Sequence, residues 1–361
     1  MLTAIIFIIV LSVLVLVHEF GHFYFAKRAG MRVDEFGFGF PPRLFSWKNK
    51  ETTYSLNLIP FGGFVKVHGE DGESRNDPKS FTSKTFSQRA KVLVAGVLMN
   101  FLLAVVLLSI GGWLGLRIAV EDGAIPVDAS DPKIQIVGIA AKSPALEADL
   151  RILDSITKLQ FRESSVVPTS AKDIQDFINS NRGQEIILTI QRGKSEFLEK
   201  HITPRLNPPP GEGATGISIK KTVVVSYPWY EAIWRGAYGA VIMTENVIYG
   251  LGSFFGNLLV HGKVAADVSG PIGIATFTGQ ASRLGFNYLI QFVSILSINL
   301  AVLNIIPFPA LDGGRLLFLA IEKIRRKALD KKVEGLVNAA GFIFLLGLMV
   351  LVTIRDIGRF F

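Results

Sequence analysis

The chain has 361 residues, a formal net charge of +8 and a hydrophobic fraction of 49%. With a mean hydropathy of +0.40 it is too apolar for an ordinary soluble enzyme, and its apolar residues come in runs, which places it in the membrane class. Lys and Arg crowd the ends of those runs and form no basic stripe, so the charge orients a membrane protein and implies no nucleic-acid partner; the lack of cysteine excludes disulfides and thiolate-held metal.

In chain order, residues 1–28 hold a first span, apolar over Leu2–Phe25. No basic residue precedes it, Lys27, Arg28 and Arg32 follow it, and no small-residue cleavage site is evident, so it reads as a helix and not as a signal peptide. Residues 29–90 form a re-entrant β-region and a cytoplasmic loop. "EFGFGFPPRLFSW" and "TYSLNLIPFGGFVKV" read as strands too apolar for a plain loop, expected to dip into the bilayer as hairpins against the helices. Residues 91–115 hold the second span, over Val92–Leu114. Residues 116–206 form a soluble α/β module, in which "KIQIVGIA", "DSITKL", "EIILTIQRG" and "EKHITPRL" read as strands and "SPALEADL" and "AKDIQDFINSN" as short helices.

Residues 207–286 begin with a linker, Asn207–Gly216, and continue as an apolar stretch interrupted by Glu231, Arg235 and Glu245 and rich in Trp and Tyr. A helix lying on the outer surface is preferred here over a fifth span. Residues 287–325 hold the third span, over Tyr288–Pro309, and residues 326–361 the fourth, over Leu336–Ile354. The segments after spans one and three are rich in Lys and Arg and should face the cytoplasm, which leaves both termini and the stretch from Leu116 to Phe286 outside.

Two motifs carry chemistry. In "HEFGH", His18 and His22 lie one helical turn apart and can grip a single metal ion, while Glu19 is placed to take a proton from a water on it. Ionisable groups at membrane depth are costly and mostly functional, which weighs against a chance pentapeptide. A catalytic zinc site has three protein ligands and an open position. His68, His201 and His261 are available, but the better third ligand is Asp312 in "NIIPFPALDGG", an acid in an apolar run between helix-breaking prolines and two glycines. A plain helix cap would also explain Asp312. Topology brings His18, His22 and Asp312 to the same leaflet. Two His and a carboxylate also suit non-haem iron; the glutamate beside His18 favours hydrolytic zinc.

With these motifs in place the sequence resembles the site-2 protease family, in its bacterial RseP-type branch of intramembrane zinc metalloproteases. "HEFGH" and "NIIPFPALDGG" match the paired zinc motifs. "DEFGFGFPPRLFSW" and "LNLIPFGGFVKVHGE" match the re-entrant β-region. "SFTSKTFSQRAKVLVAGVLMNF" and "VSGPIGIA" match the approaches to the second and third spans, and Val97 stands where the family commonly has Pro. The resemblance implies Zn2+ held by His18, His22 and Asp312, Glu19 as catalytic base, Asn304 and Pro307 holding substrate, and Asn100 lining the same site. It also implies a multi-pass protein of the bacterial cytoplasmic membrane that cleaves single-span membrane proteins, of the anti-sigma factor or remnant signal-peptide type.

The outward module resembles a permuted PDZ domain, with Asp149 and Leu153 where glycines are usual. The expected fold is therefore an α-helical membrane protein with four transmembrane helices, a re-entrant β-region and one extracytoplasmic PDZ-like α/β domain. The rivals are a membrane-anchored PDZ scaffold with a non-catalytic metal site and an ion transporter using the buried His and Asp as a relay.

Overall fold

The computed structural model describes residues 2–360 apart from 71–73, 75, 122–125, 127, 141, 194, 262–269 and 328. The elements begin with α1 (Leu2–Arg28), β1 (Val33–Asn49), β2 (Thr52–Val67) and α2 (Phe86–Leu114). Then come β3 (Leu116–Val120), β4 (Ser130–Ile139), α3 (Pro144–Glu147), β5 (Ser155–Phe161), β6 (Ser164–Val166), α4 (Ala171–Ser180), β7 (Ile186–Arg192), β8 (Glu196–Ile202) and β9 (Ile217–Val225). The chain closes with α5 (Trp229–His261), α6 (Pro271–Leu284), α7 (Phe286–Ile305), α8 (Asp312–Arg325) and α9 (Lys331–Phe360). Two compact units result, one of Met1–Leu108, Trp234–Gly279 and Ile290–Phe361, the other of Ser109–Ile233 and Gln280–Leu289.

In the first unit, α1, α2, α7 and α9 are long and apolar enough to cross a bilayer, so the chain is an integral membrane protein. α7 stops at Ile305, short of the expected Pro309, because prolines at 307 and 309 force the residues before them out of helical geometry. Of the stretch "VSGPIGIA", Val268 and Ser269 lie outside the described residues, and α6 starts at Pro271. The buried Asp356 of α9 accepts the Gly273 amide at 2.7 Å and so caps the first turn of α6.

β1 and β2 form a folded-back hairpin. Residues 52–57 pair with residues 43–49 on one side and, over 53–56, with 35–38 on the other, and 33–38 pair in turn with 63–67. The result is four strand segments in which 63–67 is an outer edge. Phe23 of α1 meets Phe36 and Tyr54 at ring distances of 5.2 and 6.1 Å. Val33 and Val67 are buried with Ala26 of α1, Val92 and Leu93 of α2 and Leu319 of α8, so both ends of the hairpin are clamped to the helices.

α5, expected as a surface helix, is not among the helices that are, over the described residues, long and apolar enough to cross a bilayer, and it packs one side on its neighbours. Ala240, with Met243, Val247 and Leu251, packs against Ala104 and Leu108 of α2 and Ile298 and Val302 of α7. That three- and four-residue spacing is a buried stripe, and Trp234 and Tyr238 stay exposed on the other side. The small residue at 240 allows close packing on one side, while the aromatic residues lie on the other.

The second unit is a sheet ordered β3-β9-β4-β5-β7-β8, with β6 on β5, over a core of Ile136, Leu159, Ile174, Ile186, Leu188 and Ile190. Ser143 caps α3 by accepting the Leu146 amide, and Ser170 and Asp173 make a reciprocal capping box on α4. β9 shows that the sheet runs past residue 206: after the loop at 207–216, "ISIKKTVVV" pairs with β4 on one side and β3 on the other. The run of branched residues is typical of a strand, and the preceding Pro/Gly-rich loop hid the return of the chain to the module.

Asp149 and Leu153 both hold the left-handed backbone, at φ 52° and 73°, so the turns persist without glycine. Asp149 is compensated: burial pushes its carboxyl up, but hydrogen bonds from Lys200, Arg192 and Arg151 outweigh that and hold it well below the carboxylate range. Arg192 also forks onto the buried Asp154 at 2.9 and 2.7 Å.

Two outcomes are expected. Asp173, held below its ordinary pKa first by the Thr169 amide and then by the Ser170 hydroxyl, and Asp149 both favour the folded state above the unfolded aspartate value of about 3.9. Thermal stability of this unit should therefore fall as pH drops from that value through their lowered folded values. Arg192→Ala leaves Asp154 buried without its counter-charge and should cost about 3–5 kcal/mol, read as proteolytic cleavage within residues 130–225 at lower temperature than in the unaltered protein.

Candidate metal centre

α1 carries His18 and His22 one turn apart, with ring centroids 4.8 Å apart and planes at 81°. Their position depends on how closely α2 approaches. A Cβ on Gly21 would collide with the Ala95 carbonyl, and one on Gly96 would lie 2.5 Å from His22 Nε2 and 2.7 Å from His18 Cε1. Both glycines are therefore required by contact, and the imidazoles occupy the space that a side chain at 96 would take.

Asp312 reaches the histidines from the start of α8. Residues 306–311 join α7 to α8, with Ala310 at φ 73°. Cβ atoms on Gly313 and Gly314 would overlap the carbonyls of Ile305, Ile306 and Phe308, so the double glycine lets α8 tuck under the end of α7. Asp312 is the first residue of α8, the N-cap is Leu311, and no side chain caps the helix. The carboxylate points to the histidines. α9 holds the loop from behind: Asn338 Oδ1 accepts the Ala310 amide at 3.0 Å, and a Cβ on Gly341 would lie 2.6 Å from Pro309 Cβ.

The three donor atoms form a near-equilateral triangle. His18 Nε2 is 3.0 Å from Asp312 Oδ2, His22 Nε2 is 3.2 Å from the same oxygen, and the two nitrogens are 3.2 Å apart. Donors about 2.1 Å from a tetrahedral zinc lie about 3.4 Å from one another, so the set fits zinc with a small expansion. His22 Nδ1 donates to the Val92 carbonyl at 2.8 Å, which leaves the lone pair of Nε2 toward the other donors. Among the described residues this is the one group of three metal-capable side chains that comes together.

The triangle opens onto a cavity of about 440 Å3, lined by Glu19, Asn304 and Arg315 and by Gly63, Phe64 and Val65 of the outer hairpin segment. Arg315 pairs with Glu70, which also lines it. Pro307 faces elsewhere, onto an apolar pocket of about 610 Å3 between α2, α5 and α7. Asn100 is fully buried behind His18. His68 pairs with Asp77 at 3.1 Å and His201 with Glu185 at 3.5 Å; the His261 side chain lies outside the described residues.

Sequence reasoning did not single out Gly21, Gly96, Val92 or Asn338. The glycines stood in view inside "HEFGH" and "VAGVL", and Asn338 is a polar residue in a largely apolar helix. The Val92 carbonyl left no signal, since every residue has one.

The model of peptidase family M50 matches residues 6–348. A protein of Clostridium perfringens (strain 13) is 35% identical over 348 residues, covering 96% of each chain. Zinc metalloprotease RasP of Geobacillus kaustophilus is 30% identical over 447 aligned positions, covering 98% of this chain and 97% of that one. Regulator of sigma-W protease RasP of Bacillus subtilis is 30% identical over 447 positions, covering 99% of both.

Gly96→Ala tests the contact. The added methyl must push both imidazoles aside, and a displacement of about 1 Å in a catalytic group costs roughly 100-fold in rate. Bound zinc and peptide cleavage should fall together, with helix content by circular dichroism unchanged.

Proposed function

The chain belongs to peptidase family M50 and is a zinc metalloprotease, and we propose that it cleaves single-span membrane proteins within or near their spans. The observation that carries this reading is the donor triangle of His18, His22 and Asp312, set at the end of an apolar helix and opening on a cavity that Glu19 lines. These three residues would hold the zinc. Zinc there would supply a Lewis acid that activates water and polarises the scissile carbonyl.

The chain's own residues do the rest. Glu19 takes the proton of the attacking water on its carboxylate and passes it to the leaving amide nitrogen. Asn304, on the cavity wall, offers its carboxamide to substrate backbone. A helical substrate hides its carbonyls in its own hydrogen bonds, so it must unwind, and in lipid the freed groups need new partners. The hairpin segment 63–67 offers them: one edge pairs with 33–38, and Gly63, Phe64 and Val65 border the cavity. Substrate would add there as a strand.

The name of the Bacillus subtilis relative, a regulator of sigma-W protease, supports substrates of the anti-sigma factor type, with remnant signal peptides as the second class. The basic segments after the first and third spans support a bacterial inner-membrane orientation with the centre near the cytoplasmic side. They leave the second unit, which we take as PDZ-like, outside. That unit screens access and carries no chemistry. Over Lys221–Val225 both edges of β9 are already paired, with β3 and β4, so a peptide strand cannot add there. A scaffold with a closed structural metal would need a fourth protein ligand, and the described residues bring together three.

Glu19→Gln keeps shape and removes the base. It should retain zinc and lose cleavage of a short single-span substrate in detergent by about 100- to 10,000-fold. Asp312→Ala should lose zinc and cleavage together. Cleavage by Glu19→Gln near the unaltered rate, with zinc bound, would falsify the general-base assignment.

A further inference from the structure

His18 is held on both ring nitrogens. Nε2 lies in the donor triangle, 3.0 Å from Asp312 Oδ2. Nδ1 lies 3.2 Å from the carboxamide nitrogen of Asn100. Asn100 is fully buried, and its backbone carbonyl accepts the Ser297 hydroxyl at 2.7 Å, which ties α7 to α2 at this level. Its Oδ1 is buried and has no hydrogen-bond partner among the described residues. A buried acceptor left alone is costly and calls for an explanation.

Ligation through Nε2 supplies one. A neutral imidazole carries a single proton, so a lone pair on Nε2 puts the proton on Nδ1. Nδ1–H then needs an acceptor. The carboxamide nitrogen is itself a donor and cannot serve, whereas the carboxamide oxygen can. A half-turn about the Cβ–Cγ bond of Asn100 exchanges the two and moves no other group. It gives Nδ1–H its acceptor and Oδ1 its partner, and Nδ2 takes the place where Oδ1 stood.

The arrangement repeats along α2. Val92, Gly96 and Asn100 are four residues apart and share one face of the helix. The Val92 carbonyl takes Nδ1–H of His22, Gly96 makes room for both rings, and Asn100 stands at Nδ1 of His18. His22 has a backbone orienter, while the orienter of His18 is a side chain.

We propose that Asn100 is the positioning residue of His18: its Oδ1 accepts Nδ1–H and fixes the tautomer whose Nε2 faces the metal. This gives a definite role to Asn100, which the family resemblance implied only as lining the site, and it rests on the reading that His18, His22 and Asp312 hold zinc. Outer-shell partners of this kind govern affinity for the ion as well as rate.

The test is the zinc dissociation constant of the purified full chain, measured by competition with a chromogenic chelator. Asn100→Leu fills the same space without an acceptor and should bind zinc about 10- to 100-fold more weakly. Asn100→Asp keeps an acceptor and should bind at least as tightly as the unaltered protein. Asp312→Ala, run beside them, should lose more than either. Zinc binding by a folded Asn100→Leu within about twofold of the unaltered protein overturns the proposal. An Asn100→Asp as weak as Asn100→Leu also overturns it, and that arm decides if the leucine variant does not fold. If Asp312→Ala keeps its zinc, the ligand set is wrong and the positioning role falls with it. If Asp312→Ala loses zinc and Asn100→Leu does not, the positioning role alone falls.

Discussion

The site depends on two helix backbones lying too close together for a side chain between them. Gly21 on α1 and Gly96 on α2 face contacts that no Cβ could make. In a bilayer this is a natural way to bind helices, because lipid tails offer no hydrophobic drive for association and small residues let backbones approach. Here the approach has a second effect. It brings the polar groups of α2 within reach of two imidazoles on an otherwise apolar helix, so that His18 and His22 each find a partner. Without such partners the rings would be a large burial cost at that depth.

The carboxylate arrives by a different device. α7 cannot continue through Pro307 and Pro309, and the carbonyls of Ile305, Ile306 and Phe308 stay close to the first turn of α8. Gly313 and Gly314 permit that overlap. Ala310 takes a left-handed conformation without being glycine, which costs on the order of 1–2 kcal/mol, and the Asn338 side chain holds its amide. The loop is thus fixed from α9, a helix that contributes no metal donor. Asp312 gains a defined position because three elements agree on the path before it.

Much of this was legible in the sequence, and the reasons differ by element. The apolar runs marked the four long helices because length and composition alone decide whether a helix can cross a membrane. His18, Glu19, His22 and Asp312 stood out because ionisable residues inside apolar runs need a cause. The glycines of α1 and α2 did not, since a glycine required by contact looks the same in sequence as one that is merely tolerated. β9 was missed because a Pro/Gly-rich loop reads as the end of a module, and only pairing shows that the chain returned. α5 was read from its aromatic residues, which do face outward, while its narrow stripe of small and apolar residues set its place. Asn100 was read as lining the site; its orphaned oxygen belongs to the geometry of a single side chain, which no pattern of residue types records.

β3 follows α2 directly and closes one side of β9. Its five residues pair with Lys221–Val225 and so cover the valine-rich end of the nine-residue β9. Long, apolar, unpaired strands are templates on which copies of a chain stitch together. By placing its first residues after α2 on this edge, the chain shields the valine-rich end of β9 from neighbours of its own kind, which matters for proteins crowded side by side in the plane of a bilayer.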